Sequence, residues 1–247
     1  MKELIDDQKI LKDSLPKFTV HLVQKDTLAY QHFEYDASEK EHYRTYFDHI
    51  FFTEKKGTSL INEEIRHLIF DGYGSRDKYV QYHLMQYDKE FFGVTGEERY
   101  SWGDEESITL IFNSTDIVSF IHNDFEGRGG GARWFGEQFC FNYDTKTGKK
   151  IEFNEIIDST KTEILDSIIE QAFVKDHFGG DHELYRANVK ERLNSTQNIC
   201  IEKKGISFVY QRYEQSLYRH AALMIFVSYC DLEKILKSKS IITNNLN

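Results

Sequence analysis

Between residues 107 and 123 the chain changes its hydrophobic period, and this constrains the fold more than any other stretch. Ile108, Leu110 and Phe112 alternate with polar residues, the turn formers Asn113-Ser114-Thr115-Asp116 follow, and alternation resumes over 117–123. A period of two sends successive side chains to opposite faces, so this segment predicts a β-hairpin. The run Gly127-Arg128-Gly129-Gly130-Gly131 comes next, where several positive-φ conformations cost little. Residues 134–143 return as a strand, Asp144-Thr145-Lys146-Thr147-Gly148 reads as a turn, and Ile151 and Phe153 open another short strand.

Upstream, residues 1–17 form a polar segment with a thin apolar stripe ending at Pro16, a linker or leader remnant. Phe18, Val20 and Leu22 alternate as a first strand, with 28–35 as its pairing partner. Ser38 and Glu41 fit a capping box, and Tyr43, Tyr46, Phe47 and Ile50 behind it fall at helical spacing. A cleaner helix from about Ser59 puts Leu60, Ile61, Ile65, Leu68 and Ile69 on one face, and Tyr79 to Tyr87 predicts a third.

Downstream, Thr160 with Glu163 reads as a capping box opening a helix through Ile164, Leu165, Ile168, Ile169, Ala172 and Phe173. Gly179-Gly180 ends it, and a more polar helix covers about 181–193. Strands are expected at 199–202, 206–213 and 223–229, with Asp231 capping a last short helix over 232–236. Hairpins outnumber βαβ units, so the expected class is α+β, a mostly antiparallel sheet packed against helices. The expected organisation is a helix-rich subdomain over 18–106 and a strand–helix–strand domain over 107–247.

A chain of 247 residues with 40% hydrophobic and 29% charged residues can bury a core and is globular in composition. No stretch reaches the roughly 18 apolar residues of a membrane helix, and the first residues lack the apolar core of a signal peptide. Either the protein works in the cytoplasm or the sequence shown lacks its leader. A formal charge of −10 with no basic run argues against nucleic acid as a partner and suits a basic or neutral one. Aromatics, at 15%, mostly alternate with polar residues as buried strand positions do. Cys140, Cys200 and Cys230 sit in apolar, strand-like runs without metal-ligand spacing, so they read as buried free thiols, and the odd count argues against a disulfide framework.

No motif carries chemistry. The glycine run enters a strand through Ala132-Arg133-Trp134, so it lacks the Gly-Lys-Ser/Thr and helix N-terminus of a phosphate loop. Asp176, His177, Asp181 and His182 are good metal ligands, but they bracket Gly179-Gly180 at a spacing that fits neither a zinc helix nor a calcium loop. No nucleophile elbow occurs. The polar, aromatic connection from Tyr213-Glu214 through Tyr218-Arg219-His220 interrupts two apolar strands, as binding loops do. No catalytic residue, metal ligand or cofactor is assigned.

Two groups of segments carry a resemblance. Gly130-Gly131-Ala132-Arg133, Phe141-Asn142-Tyr143-Asp144 and Thr147-Gly148-Lys149-Lys150 form one. Residues 206–213, Glu214, 225–229 and Asp231-Leu232 form the other. Together, over about 107–236, they resemble the extracytoplasmic domain family found in the lysozyme-sensing anti-sigma-V factor and ahead of polysaccharide deacetylase domains. Asn62, in Leu60 to Ile65, extends the likeness to the preceding helix. The resemblance implies an α+β fold, a cell-envelope location and, for most members, no known activity. Arg133 stands where the family has His, and an arginine neither ligates a metal nor gives up its proton.

These implications make a non-enzymatic envelope binding or sensing domain the leading expectation, secreted or lipid-anchored through a leader absent from the chain shown. Its ligand would be a protein such as lysozyme or a cell-wall glycan, contacted by Arg133, Trp134, Tyr213, Glu214, Tyr218 and His220. A glycan hydrolase or deacetylase using the Asp176 to His182 loop, and a structural lipoprotein, are the alternatives.

Overall fold

The computed structural model describes residues 19–25, 28–36, 43–52, 56–70, 72–90, 102–128, 134–189, 193–211 and 222–242. Among the described residues nine strands fall into two sheets. The larger runs in the order β1 (Thr19–Lys25), β2 (Leu28–Asp36), β3 (Tyr43–Phe52), β4 (Trp102–Asn113), β5 (Ile117–Arg128) and β6 (Trp134–Asp144). The smaller is β7 (Ile199–Ile201), β8 (Gly205–Tyr210) and β9 (Leu223–Ser228), antiparallel throughout. The α+β expectation holds. The chain divides into two compact units, Met1–Lys55 with Asn62–Thr109 and Asn123–Gly136, and Lys56–Ile61 with Leu110–His122 and Glu137–Asn247.

In the first unit β1, β2 and β3 form an antiparallel meander, and β3 then pairs parallel with β4, Tyr43 opposite Trp102 through Asp48 opposite Ser107. Parallel neighbours need a long crossover. Helices α1 (Lys56–Ile69) and α2 (Arg76–Glu90) lie within that connection. Residues 43–52 are thus a strand where helical spacing was expected. Seven of these ten residues are aromatic or β-branched, and Ile50 and Phe52 are buried with the more exposed Phe51 between them, as a strand's alternation requires. On α1 the buried apolar side chains are Ile61, Ile65 and Ile69, while Leu60 is 52% exposed and off the expected face. Asn62 completes the end of β3: its amide oxygen accepts from the Phe52 N–H and its NH2 donates to the Phe52 carbonyl, both at 2.8 Å. Within α2, Tyr79 stacks on His83 with ring centroids 4.1 Å apart.

In the second unit the small sheet packs on helix α4 (Thr162–Phe178), whose Leu165, Ile169 and Phe173 recur every four residues on the buried side. Ile199, Ile201, Ile206, Phe208, Ile225 and Val227 share that core. Burying a side chain of this size contributes roughly 1.5–3 kcal/mol, so this cluster is the main source of the unit's stability.

Three local expectations change here. Residues 153–156 form a short helix, α3 (Phe153–Ile156), rather than a strand; the Glu155 carboxylate accepts from the Glu152 N–H at 2.9 Å at its start. The Thr160–Glu163 capping box does not form. Asp158 takes its place, accepting from the Thr160 N–H at 3.1 Å and hydroxyl at 2.7 Å, because a 3-10 turn (Ser159–Lys161) precedes α4. The short helix after β9 is α6 (Tyr229–Leu232), capped by Ser228, whose hydroxyl accepts from the Asp231 N–H at 3.2 Å. Gly179 ends α4 as expected, in a left-handed conformation (φ 61) that suits glycine. Among the described residues no helix is long and apolar enough to cross a membrane.

Candidate functional site

The most organised polar arrangement lies where β6 meets β7. Gln138, Cys140 and Asn142 occupy alternate positions of β6, so their side chains leave one face of the strand. Asn142 is 3% exposed and uses its whole amide. Its oxygen accepts from the Ser119 hydroxyl at 2.7 Å and the Ile201 N–H at 2.8 Å, and its NH2 donates to the Ile199 carbonyl at 2.7 Å. Those two backbone groups belong to the edge of β7 away from β8.

Asn198, just before β7, returns the contact. Its oxygen accepts from the Cys140 N–H at 2.7 Å, and its NH2 donates to the Gln138 carbonyl at 2.7 Å and the Val209 carbonyl at 3.2 Å. Gln211 adds a second amide on the same strand, accepting from the Gln138 N–H at 2.9 Å and donating to the Gln138 carbonyl at 2.6 Å. Further along β6, the Ile151 N–H donates to the Asn142 carbonyl and the Asp144 N–H to the Lys149 carbonyl. Side-chain amides and a short return of the chain therefore occupy much of the outer edge of β6. Between the two asparagines, Cys140 and Cys200 form a disulfide, with Cα atoms 5.2 Å apart.

This corrects the cysteine expectation on two points. Cys140 and Cys200 are bonded rather than free, and Cys230 is free but exposed rather than buried. Each bonded cysteine stands two residues from an asparagine, Cys140 before Asn142 and Cys200 after Asn198. That matched offset was the only signal in the sequence, since strands 60 residues apart share no local spacing rule. The odd count misled because the unpaired residue is Cys230, on the surface helix α6.

At the end of β7, the Glu202 carboxylate accepts from the buried Ser207 hydroxyl, and the Glu202 carbonyl accepts from the Tyr229 hydroxyl at 2.7 Å. Burial, and secondarily Glu202, hold the Tyr229 phenol well above its ordinary value of 10.0. The protonated phenol thereby ties the start of α6 to the end of β7. In the first unit, partial burial and then the neighbouring Asp48 raise the Glu105 carboxyl above its ordinary 4.5.

The Asp176 to His182 segment does not gather ligands. All four side chains are exposed, and the Asp181 carboxylate caps α5 (His182–Asn188), accepting from the N–H groups of Glu183 at 3.0 Å and Leu184 at 2.9 Å. Among the described residues no three His, Cys, Asp or Glu side chains converge to hold a metal ion.

Of the expected recognition residues, Arg133, Tyr213, Glu214, Tyr218 and His220 lie outside the described residues. Trp134 opens β6, and its side chain also lies outside the description. What the structure does describe is the root of both segments. Trp134 is on the strand that Gln211 grips at Gln138, and Tyr213 follows Gln211 by two residues.

No protein-family model matches the sequence, and a search of curated proteins finds no match either. Solved structures do match. A DUF3298 family member from Bacteroides fragilis superposes with a TM-score of 0.69 at 17% identity, over 93% of this chain and 96% of that one. A DUF3298 family protein from Pseudomonas aeruginosa gives 0.60 at 13% identity, over 92% and 96%. The chain thus shares, along nearly its whole length, the fold of a domain of unknown function.

Proposed function

We propose that this chain is a non-enzymatic binding or sensing module of the bacterial cell envelope, recognising a protein such as lysozyme or a cell-wall glycan. The observation that carries the location is the Cys140–Cys200 disulfide. Structural disulfides persist where the surroundings are oxidising and are rare in a reducing cytoplasm. The segments around Asn142 support the same reading through the anti-sigma-V resemblance. The formal charge of −10 favours encounter with a basic protein through electrostatic steering. Recognition would fall to Arg133, Trp134, Tyr213, Glu214, Tyr218 and His220, as the resemblance implies.

The hydrolase or deacetylase alternative has no supporting observation, because its proposed loop is exposed and Asp181 is occupied in capping.

Two measurements test the proposal. Thiol alkylation of the protein from its native host should modify Cys230 and leave Cys140 and Cys200 oxidised; three reactive thiols would place it in a reducing compartment and end the envelope reading. Calorimetric titration with lysozyme and with peptidoglycan fragments should show binding that Arg133→Ala weakens at least about tenfold, the equivalent of about 1.4 kcal/mol. Absence of heat with both ligands removes this ligand class.

A further inference from the structure

The small sheet has two outer strands, and they are finished differently. Asn142 occupies the outer edge of β7 through Ile199 and Ile201. At the other side β9 pairs only with β8, Leu223 opposite Tyr210 through Ser228 opposite Gly205, and among the described residues no strand or side chain bonds the outer backbone row of Leu223–Val227. The strand reads Leu-Met-Ile-Phe-Val-Ser, without a charge, proline or glycine, in a chain that is 29% charged. Leu223, Ile225 and Val227 face the core, while Met224 is 41% and Phe226 39% exposed. Soluble proteins usually blunt such an edge with lysine, proline or a bulge, and none of these devices is present.

We infer that β9 is a self-association edge, pairing antiparallel with β9 of a second copy. Register favours a copy over another partner, and because the edge carries no charge the contact itself adds nothing to the repulsion between two chains of charge −10. A two-fold pairing centred on Ile225 sets Met224 of each copy directly opposite Phe226 of the other, so the exposed apolar residues cover one another. The same register keeps Leu223, Ile225 and Val227 on the core side of both sheets. A six-residue strand contributes less area than a permanent dimer requires, so the association is reversible and concentration-dependent.

Sedimentation velocity over about 1 µM to about 1 mM spans the affinities expected of such an edge. The wild-type protein should pass from monomer to dimer across that range, and Met224→Lys should move the midpoint at least about tenfold higher. Ile164→Lys, on the exposed side of α4, should leave the midpoint where it was. Phe226→Lys is the second edge variant, and circular dichroism melting of each variant separates loss of pairing from loss of fold. Hydrogen exchange should show protection of amides in 223–228 rising with protein concentration. A monomer at every concentration, a dimer indifferent to both lysines in folded protein, or a dimer with unchanged β9 exchange would each overturn the inference. An extended peptide that protects β9 while the protein stays monomeric would do so as well, assigning the edge to a different strand.

Discussion

The two outer strands of the small sheet solve one problem in opposite ways. β7 is only three residues long, yet an amide from another sheet takes one of its outward C=O groups and one of its outward N–H groups, and a disulfide lies beside them. β9 is twice as long, and among the described residues nothing bonds its outer row. Edge exposure is therefore not set by strand length. It depends on whether a distant side chain of the right shape arrives, and an amide fits because it carries a donor and an acceptor side by side, as a neighbouring strand does. Asn62 shows the same device on Phe52 of β3. Closing an edge this way makes the partner indispensable, because its removal strands buried polar groups.

The largest effect should come from the covalent part of the seam. Replacing Cys140 and Cys200 together with serine opens a 60-residue loop, which on chain-entropy grounds costs roughly 4 kcal/mol. Urea denaturation of the double variant should show it. A loss under about 1 kcal/mol would mean that the amides alone hold β6 to β7.

Somewhat smaller is Asn142→Leu, which leaves the Ile199 carbonyl, the Ile201 N–H and the Ser119 hydroxyl buried without this partner, a cost of roughly 3 kcal/mol. Asn142→Asp should recover part of it at most, since a carboxylate accepts from Ser119 and Ile201 but repels the Ile199 carbonyl. Equal stability of the leucine variant and the wild type would erase the contrast between the two edges.

Tyr229→Phe tests the tie between the end of β9 and Glu202, and should cost about 1 kcal/mol near neutrality. Its pH signature is more informative than its size. The folded phenol titrates above the unfolded value of 10.0, so the stabilisation is complete below pH 10.0 and is lost as pH rises further. Stability curves of the wild type should fall faster than those of Tyr229→Phe in that alkaline range; parallel curves would show that the phenol is not held neutral.

The smallest effect belongs to β9. Met224→Lys should change the stability of the monomer by no more than about 0.5 kcal/mol, as exposed positions generally do. A drop of several kcal/mol would show that the β9 edge is covered by something in the monomer.

Much of this architecture was legible because it is local. The period of two through Ile108, Leu110 and Phe112 gave the hairpin of β4 and β5, the four-residue recurrence at Leu165, Ile169 and Phe173 gave α4, and Gly179 marked its end. Residues 43–52 were misread because Tyr43, Tyr46, Phe47 and Ile50 satisfy a helical spacing while the segment's composition favours a strand, and pairing with β2 and β4 decides between them. The seam was invisible for another reason. A side-chain amide bonding a backbone group 57 to 73 residues away has no periodicity and no local spacing. The expected recognition residues other than Trp134 lie outside the described structure, so their reading still rests on the resemblance.

The separation of β6 from its edge partners has a consequence in time. Gln138 leaves the ribosome 73 residues before Gln211, the last amide that covers it. At synthesis rates of about 5–20 residues per second, the Gln138 end of β6 waits roughly 4–15 s for that amide in every nascent chain. During that interval β6 resembles the β9 edge of the finished protein, and any strand nearby can compete for it. Slowing translation between residues 145 and 210 should therefore lower the yield of folded protein without altering the stability of the molecules that succeed.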